Sequence, residues 1–235
     1  MAEFDVRDIH AYIGDSYVVQ GISLTVTEGR TVAVLGRNGV GKTSLLRAIV
    51  GLGEAPRRGS VVWRGRDITA LPAWRRARIG IGYLSQGHRV FTSLSVEENL
   101  RIAERSATTK SAWPRARLYK LFPLLDERKT QLATSLSGGQ QKLLSIARML
   151  VGNPRVVVMD EPTEGLAPIM VEHVRNALEA VKETGCGVLL VEQNHQFAGA
   201  IADYVHIMQS GRFIDGRENL DPAALRQVAE QYLGA

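Results

Sequence analysis

The chain has 235 residues, of which 45% are hydrophobic, and these values are typical of a globular protein with one large domain or two small ones. Cys186 is its one cysteine, which excludes a disulfide within the chain and a zinc site built on cysteines, and favours a reducing compartment. The net charge is +5, and many of the basic side chains lie close together in the sequence (Arg57, Arg58, Arg64, Arg66, Arg75, Arg76 and Arg78). These side chains could bind nucleic acid, acidic lipid or an acidic partner, or they could simply form a solvated face.

The sequence predicts a chain that does not span a membrane itself. No apolar run reaches the roughly 18 residues that a transmembrane helix needs. The first residues lack the charged and apolar regions of a signal peptide. We therefore expect a cytosolic location, with any role at a membrane depending on a partner.

The first part of the chain contains a strand, a loop and a helix that form one motif. Predicted strands at 4–12 and 22–27 precede an apolar, β-branched run at 31–35, which predicts a buried strand. A helix is predicted at 44–50. Between them lies Gly36-Arg37-Asn38-Gly39-Val40-Gly41-Lys42-Thr43, which fits every position of G-x-x-x-x-G-K-[ST]. The sequence therefore predicts a phosphate-binding loop in the context that this motif requires.

The chemistry of the loop follows from its residue types. Glycines let the backbone approach a phosphate, and a helix start adds free N–H groups and a partial positive charge. Lys42 can reach the β- and γ-phosphates, and the Thr43 hydroxyl can ligate Mg²⁺. A glycine-rich turn that ends in Lys-Thr by chance is the alternative, and the flanking strand and helix argue against it. The predicted nucleotide-binding residues of the loop are Gly36, Arg37, Asn38, Gly39, Val40, Gly41, Lys42, Thr43 and Ser44.

Beyond residue 53 the predicted elements become shorter and then mainly helical. Ser95 and Glu98 predict a capping box at the start of a helix that runs to about Arg105. Pro114 suits the first turn of another helix. The remaining predictions here are a connection at 53–59, strands at 61–63 and 79–84, a turn at 64–67, a short helix at 72–77, a loop at 108–112 and the Pro114 helix over 114–122.

The strand–helix alternation then resumes and sets the fold class. Helices are predicted at 141–151, 171–182, 196–202 and 222–233, apolar strands at 156–159 and 188–191, and a hairpin at 204–208 and 212–214. This order predicts an α/β fold with a parallel sheet and an antiparallel β subdomain. We expect one domain over 1–235, with a nucleotide-binding core at 1–87 and 144–235 and a helical insert at 88–143.

Two carboxylates follow an apolar strand directly. Val156-Val157-Val158-Met159 leads into Asp160 and Glu161. Asp160 can hold the hydration shell of Mg²⁺, and Glu161 can orient or deprotonate an attacking water. The alternative is an acidic strand end at the surface, which the buried-type residues before it disfavour.

A second candidate anion site is Leu136-Ser137-Gly138-Gly139-Gln140. A serine and two glycines before a helix offer backbone N–H groups and a hydroxyl to an anion. One protein does not need two such sites for one γ-phosphate, whereas a dimer that encloses the nucleotide does. An ordinary capped helix start is the alternative interpretation.

Taken together, these motifs resemble those of the ABC-type ATPases. The resemblance covers essentially the whole chain and rests on the order and spacing of the phosphate loop, Gln86, Leu136 to Gln140, and Asp160-Glu161-Pro162-Thr163. It implies the ABC ATPase fold and ATP with Mg²⁺ as cofactors. The metal site would comprise Thr43, Gln86 and Asp160.

The resemblance also implies roles for individual residues. Tyr12 would stack on the adenine, and Gln86 would link the Mg²⁺ site to a transmembrane partner. Leu136 to Gln140 form the signature segment, in which Ser137, Gly138 and Gly139 would contact the γ-phosphate bound by the opposite subunit. Glu161 would be the catalytic base.

Two positions depart from the broad family pattern. Ala167 stands where the loop after the two carboxylates usually ends in an aspartate. Gln193 stands at the position of the usual switch histidine, and His195, two residues further on, is expected to be a surface residue. Gln193 can donate a hydrogen bond to a γ-phosphate but cannot shuttle a proton.

The segments that contain these two departures resemble those of one subfamily. Glu164-Gly165-Leu166-Ala167-Pro168 and Val191-Glu192-Gln193-Asn194 resemble the shorter ATPase subunit of importers for branched-chain amino acids, and 85–91 resembles the related urea and short-amide importers. The sequence does not separate the two, because other subunits read the solute. The resemblance implies two transmembrane permease subunits, a second ATPase subunit (the same or paralogous), an indirect extracytoplasmic solute-binding protein, no nucleic acid, and a place at the cytoplasmic face of the inner membrane.

Two functions from other classes remain as alternatives. A soluble ABC-type ATPase that acts on nucleic acid or ribosomes is compatible with the basic charge, but such proteins usually carry paired cassettes or long insertions. A regulatory nucleotide switch with little hydrolysis is the other. The Asp160-Glu161 pair argues for catalysis and against this second alternative.

Overall fold

The computed structural model describes residues 3–53, 56, 58–87, 90–105, 112–218, 227 and 230–232. The strands in chain order are β1 (Glu3–Ile13), β2 (Ser16–Thr27), β3 (Thr31–Leu35), β4 (Arg58–Trp63), β5 (Arg66–Asp67), β6 (Ile81–Leu84), β7 (Val156–Asp160), β8 (Gly187–Glu192), β9 (Tyr204–Gln209) and β10 (Arg212–Glu218). The helices are α1 (Lys42–Val50), α2 (Ala73–Arg78), α3 (Val96–Arg105), α4 (Arg115–Leu121), α5 (Pro123–Glu127), α6 (Gly138–Val151), α7 (Pro168–Glu183) and α8 (His195–Ile201), and a 3₁₀ turn spans Ala133–Ser135.

The larger sheet is mainly parallel and has the order β10-β9-β3-β8-β7-β6. Strand β3 pairs in parallel with both β8 and β9, β7 pairs in parallel with β8 and β6, and β10 returns antiparallel to β9. Because parallel strands end at the same edge, the loops that follow β3, β7 and β8 lie side by side. The predicted class, a parallel sheet with an antiparallel subdomain, is confirmed.

Both faces of this sheet are covered, which explains why its central strands are apolar without alternation. In β3, Val32 and Val34 pack with α1 and the antiparallel sheet, whereas Ala33 and Leu35 pack on the opposite side with the helices that follow residue 95. Adjacent residues of β7 and β8 divide between the two sides in the same way. Each strand therefore contributes side chains to two separate apolar cores.

The smaller sheet is antiparallel, with the order β2-β1-β4-β5. Strand β2 begins at Ser16, not at the predicted residue 22, because its first part pairs with β1, with Tyr17 opposite Tyr12. Gly21 has a φ of 74°, so it bends the strand without ending it. The turn predicted at 64–67 also contains the short strand β5, which pairs with β4.

The helices between residues 96 and 151 contribute their apolar side chains to the core on one side of the larger sheet. Trp113, Phe122 and Leu125 are fully buried against α6 and its neighbours. Helix α5 was not predicted, because five residues are too few to show a helical period. The predicted boundary at 143/144 falls inside α6, which begins at Gly138.

Two other predictions fall partly outside the described residues. The loop at 108–112 is described only at its end, and the helix at 222–233 only at 227 and 230–232, which are helical.

In the part of the chain that the structure describes, no helix combines the length and apolar character that crossing a bilayer demands.

Arg76 is a correction to the expected basic surface. Its side chain is 1% exposed and lies under the end of α1. The guanidinium donates to the carbonyl oxygens of Leu71 at 2.8 Å, Thr69 at 2.6 Å and Ile49. Burial lowers its pKa to about 10. Arg76 therefore satisfies backbone acceptors at the end of a helix and is not part of a solvated or partner-binding face.

Candidate functional site

The loop between β3 and α1 has the backbone of an anion site. Gly39 and Gly41 have φ angles of 79° and 107°, which only glycine adopts without strain. A side chain at Gly36 would lie 2.7 Å from the Met208 carbonyl oxygen. Helix α1 begins after Gly41 without a side-chain cap among the described residues. Its first N–H groups are therefore available to a phosphate.

Lys42 is folded back into this loop. Its Nζ donates to the carbonyl oxygens of Gly36 at 2.7 Å and Arg37 at 3.0 Å. The same atom lies 3.0 Å from Oε1 of Glu161, and the two side chains are 4% and 5% exposed. Both charges of this ion pair are thus removed from water, so the pair depends on its partners for stability.

Thr43 and Asp160 form a group of oxygen atoms beside the ion pair. The Thr43 hydroxyl donates to Oδ1 of Asp160 at 3.1 Å. The other oxygen of Asp160, Oδ2, is buried and has no hydrogen-bond partner among the described residues. Burial raises the pKa of Asp160 to about 6, against the lowering effect of the Thr43 hydrogen bond. A buried carboxylate oxygen without a donor, next to a hydroxyl, suits a hard divalent cation.

A cavity of about 480 Å³ opens on these oxygen atoms. It is lined by Thr43, Arg47, Leu52, Gly53, Tyr83, Ser85, Gln86, Gly87 and Asp160. Gln86 donates from Nε2 to Oε2 of Glu164 at 2.9 Å. The structure therefore brings together the three residues predicted for the metal site, two of them in direct contact.

Glu161 occupies a turn that is unusual for a residue with a side chain. Its φ is 47°, and its N–H donates to the Val191 carbonyl oxygen at 3.0 Å. Its carboxylate is held by Lys42 on one side and by Gln193 on the other, with Nε2 of Gln193 3.2 Å from both Glu161 oxygens. Nε2 of Gln193 also donates to Oδ1 of Asn38 in the phosphate loop.

Gln193 thus joins three loops that are far apart in sequence. His195, which was expected at the surface, begins α8 and is partly exposed. Ala167 precedes the first residue of α7. The glutamine at the switch position is in contact with the candidate base, and a contact of this kind needs only a donor group, not a charge.

Sequence reasoning missed Glu192, which holds Gln193 in place. Its Oε1 accepts from the N–H of Thr163 at 2.9 Å and from its hydroxyl at 2.6 Å. Its Oε2 accepts from the N–H groups of Gln193 at 3.0 Å and Asn194 at 3.3 Å. Burial raises the pKa of Glu192, and these hydrogen bonds oppose the rise. A carboxylate at the end of an apolar strand was the available signal.

The signature segment begins α6 and faces outward. Oγ of Ser137 accepts from the Gln140 N–H at 3.4 Å, and the Gln140 side chain accepts from the Ser137 N–H at 3.0 Å, which is a capping box. Leu136 is buried in the core, while Ser137 and Gly138 are exposed. Gly139 packs near Leu166 and Met170. The capped-start interpretation is therefore correct, with Ser137 as the N-cap and Gln140 as its partner. The Ser137 hydroxyl can still donate its proton, so this side chain and the exposed Gly138 stay available to a ligand.

Tyr12 lines a neighbouring cavity of about 230 Å³, which shares Arg47, Leu52 and Gly53 with the larger one. Its ring stacks on that of Tyr17 with centroids 4.7 Å apart. Ser44 and Arg47 line the same cavity. An aromatic face beside the phosphate loop is compatible with a stacked base.

Comparison with known proteins places this geometry in a family. The family model for the ABC transporter matches residues 19–164, which include the phosphate loop, the signature segment and the two carboxylates Asp160 and Glu161 at the end of β7. The chain belongs to the ABC transporter family of ATP-binding proteins. Members of this family bind and hydrolyse ATP and work with membrane permease components, which makes this chain an ABC ATPase.

Individual relatives differ in the transport they serve. The ABC ATPase is 34% identical to the high-affinity branched-chain amino acid transport ATP-binding protein BraG of Pseudomonas aeruginosa, with all of both chains covered. It is also 34% identical to the lipopolysaccharide export system ATP-binding protein LptB of Escherichia coli (strain K12), covering 100% of this chain and 98% of LptB. The two relatives are equally similar, so similarity alone decides neither the solute nor the direction.

A solved structure of the family shares the whole fold. The ADP conformation of an ATP-binding cassette of an ABC transporter superposes with a TM-score of 0.83 at 26% identity, with all of both chains covered. A nucleotide-free cassette gives 0.81 at 26% identity, over 96% of this chain and 98% of that one. The recognition of an ABC ATPase from its motifs is confirmed.

Proposed function

We propose that this ABC ATPase powers an importer for branched-chain amino acids. The observation that carries the proposal is the resemblance of the segments around Ala167 and Gln193 to the ATPase subunit of these importers, because the overall similarity to BraG and to LptB is equal. The similarity to BraG over the full length of both proteins supports it. Lipopolysaccharide export is the second candidate, because LptB is equally similar.

In this proposal the β- and γ-phosphates of ATP lie on the loop from Gly36 to Ser44. The open N–H groups at the start of α1 support this placement, as does the ammonium group of Lys42. Tyr12 stacks on the adenine. Mg²⁺ would be held by Thr43 and Asp160, with Gln86 nearby, and would neutralise phosphate charge during transfer.

Glu161 acts on the attacking water in this proposal, by orienting or deprotonating it. In the structure its carboxylate is bound to Lys42 and Gln193. A γ-phosphate beside Lys42 supplies a new anionic partner for the ammonium group, and this frees the Glu161 carboxylate to accept from a water. Gln193 then keeps the carboxylate in place and donates towards the phosphate.

A second ATPase subunit completes the site. Ser137 and Gly138 are exposed on the signature segment, so they can meet the γ-phosphate of an opposite subunit. Each subunit of the pair, identical or paralogous, would contribute its signature segment to the other. Two Mg-ATP would be enclosed in this way.

A groove of about 310 Å³ offers a place for the permease. It lies between α2, β6, α3 and α6, and Ser85, Ala103 and Met149 are among its lining residues. Ser85 adjoins Gln86, so a helix in this groove would sit next to the metal-site residues. We place one permease helix here, with the ATPase at the cytoplasmic face of the inner membrane and a solute-binding protein on the other side.

The test has two steps. The tagged chain is purified from gently solubilised membranes, and its partners are identified by mass spectrometry; two multi-spanning proteins and a second ATPase are expected. The complex is then placed in proteoliposomes with its solute-binding protein, and uptake of radiolabelled leucine, urea and acetamide is compared, with Glu161→Gln as the inactive control.

Each outcome assigns a function. ATP-dependent leucine uptake supports the proposal, and uptake of urea or acetamide alone moves the assignment to the related importers. ATPase activity stimulated by lipopolysaccharide, without uptake, supports the export candidate. Recovery with ribosomes or nucleic acid, and not with membrane proteins, contradicts a transport function.

A further inference from the structure

Lys142 is a buried lysine on α6 to which the proposed function assigns no role. Its side chain is 2% exposed. Its Nζ donates to the carbonyl oxygen of Glu161 at 3.2 Å and to that of Glu164 at 2.8 Å. Burial lowers the pKa of Lys142, and the charges of Glu164, Glu192 and Glu161 oppose this effect. The cation therefore faces the backbone of the loop from Glu161 to Glu164 and not the solvent.

The loop that Lys142 holds needs support. Glu161 has a φ of 47°, and a non-glycine residue in this left-handed region is strained and persists only where its surroundings hold it there. Its N–H is held by the Val191 carbonyl oxygen on β8, and its C=O by Lys142 on α6. The peptide groups on both sides of the Glu161 α-carbon are thus anchored to different elements, so the direction of its carboxylate depends on where α6 lies.

The position of Lys142 on α6 connects this anchor to the signature segment. Helix α6 starts at Gly138, and Lys142 is four residues later, so the two lie on one face of the helix one turn apart. A buried helix moves as a body, because its packed side chains do not deform separately. A displacement at Ser137 and Gly138 is therefore transmitted to the carbonyl oxygens of Glu161 and Glu164.

We propose that Lys142 is a positioning residue that couples the nucleotide at the signature segment to the orientation of Glu161 in the same subunit. The inference rests on the proposed function, in which that nucleotide belongs to the opposite subunit. Each Lys142 then links one ATP site of the dimer to the catalytic glutamate of the other. Such a link is a coupling free energy between two sites, and it appears as cooperativity in ATP concentration.

The experiment compares Lys142→Met, which removes the donors at similar volume, with Lys142→Arg, which keeps them. ATP hydrolysis by the full chain is measured over a range of ATP concentrations. For Lys142→Met we expect kcat to fall between about tenfold and 100-fold, KM to stay within about twofold, and the Hill coefficient to fall to about 1. Lys142→Arg should recover most of kcat and of the cooperativity.

A matched control separates positioning from general stability. Lys182 also donates to a backbone carbonyl, that of Ile201 at 3.2 Å, and to Asp203 at 2.9 Å, away from the site. Lys182→Met should change thermal stability without changing kcat or the Hill coefficient. Lys142→Gln, which is neutral and shorter than lysine and so removes the charge and the reach to both carbonyl oxygens, serves if the methionine variant does not fold.

The results separate this inference from the proposed function. If Lys142→Met and Lys142→Gln keep parental kcat and cooperativity while Glu161→Gln is inactive, the coupling role of Lys142 is wrong and the catalytic assignment stands. If Glu161→Gln hydrolyses ATP like the parent, the proposed function itself is wrong. A loss in Lys142→Met that Lys182→Met reproduces also overturns the inference.

Discussion

Replacing Glu161 by glutamine tests the ion pair at the centre of the site. The Nζ of Lys42 and Oε1 of Glu161 are 3.0 Å apart, and both side chains are almost fully buried. At an effective dielectric constant of about 20, a pair at this separation gains about 5 kcal/mol of Coulomb energy, most of which offsets the desolvation of the two charges.

The glutamine changes one side of this balance. Its amide oxygen can still accept a hydrogen bond from Lys42. The ammonium group then has no anionic partner in the pair, and its acceptors are this amide and the carbonyl oxygens of Gly36 and Arg37. We expect the nucleotide-free protein to lose about 1–3 kcal/mol of stability. For a chain of this size that corresponds to a fall in Tm of about 2–4 °C per kcal/mol.

With Mg-ATP bound, the Glu161→Gln variant should become the more stable of the two proteins. The γ-phosphate replaces the carboxylate as the partner of Lys42, and in the variant it does so without repulsion from Glu161. We expect Glu161→Gln to bind Mg-ATP about tenfold more tightly than the parent. Its turnover should fall by a factor of about 10²–10⁴, because the general base is gone.

Thermal unfolding followed by circular dichroism, with and without Mg-ATP, measures the Tm of each protein. Single-turnover hydrolysis measures the rate of the chemical step. The matched control is Glu172→Gln, which breaks an exposed ion pair with Arg175 of 2.6 Å and should change stability by less than about 0.5 kcal/mol. An unchanged Tm in the nucleotide-free Glu161→Gln protein would refute the ion-pair argument. Parental hydrolysis would refute the role of Glu161 as base.

Three further predictions concern other parts of the molecule. Gln193→Ala should lower kcat by about tenfold or more with little change in KM, because the carboxylate of Glu161 loses its donor; steady-state kinetics that show the reverse would contradict the positioning role. Tyr12→Leu should weaken binding of a fluorescent ATP analogue by about tenfold, with Tyr12→Phe unaffected, since stacking on a base contributes about 1–3 kcal/mol. His206→Phe should remove a pH-dependent loss of stability. Burial lowers the pKa of His206 from 6.5 to about 4. Between these two pKa values the unfolded chain binds a proton at His206 and the folded chain does not, so the free energy of unfolding falls as pH drops from about 6.5 to about 4. The free energy of unfolding in urea is measured at neutral pH and at pH about 5. On this change of pH the parent should lose about 2 kcal/mol more than the variant; equal losses in the two proteins would show that His206 is not desolvated.

The sequence by itself determined the parts of this protein that depend on local chain geometry. The phosphate loop from Gly36 to Thr43 requires glycines at fixed spacing between a strand and a helix, so the pattern alone predicts the loop. The apolar runs of β3, β7 and β8 predict strands buried on both faces, which only a covered parallel sheet provides. Asp160 and Glu161 could be proposed as site residues because they stand at the end of such a strand.

Only the tertiary structure decided which side chains meet from distant parts of the chain. The sequence suggested no role for Lys142 or Glu192, since a lysine on a helix and a glutamate at a strand end usually face solvent. Arg76 was expected on a basic surface and lies instead under the end of α1, where it binds backbone carbonyl oxygens. These residues are buried because packing brings an acceptor or donor to each of them from another element, and no local pattern of residues encodes such a partner.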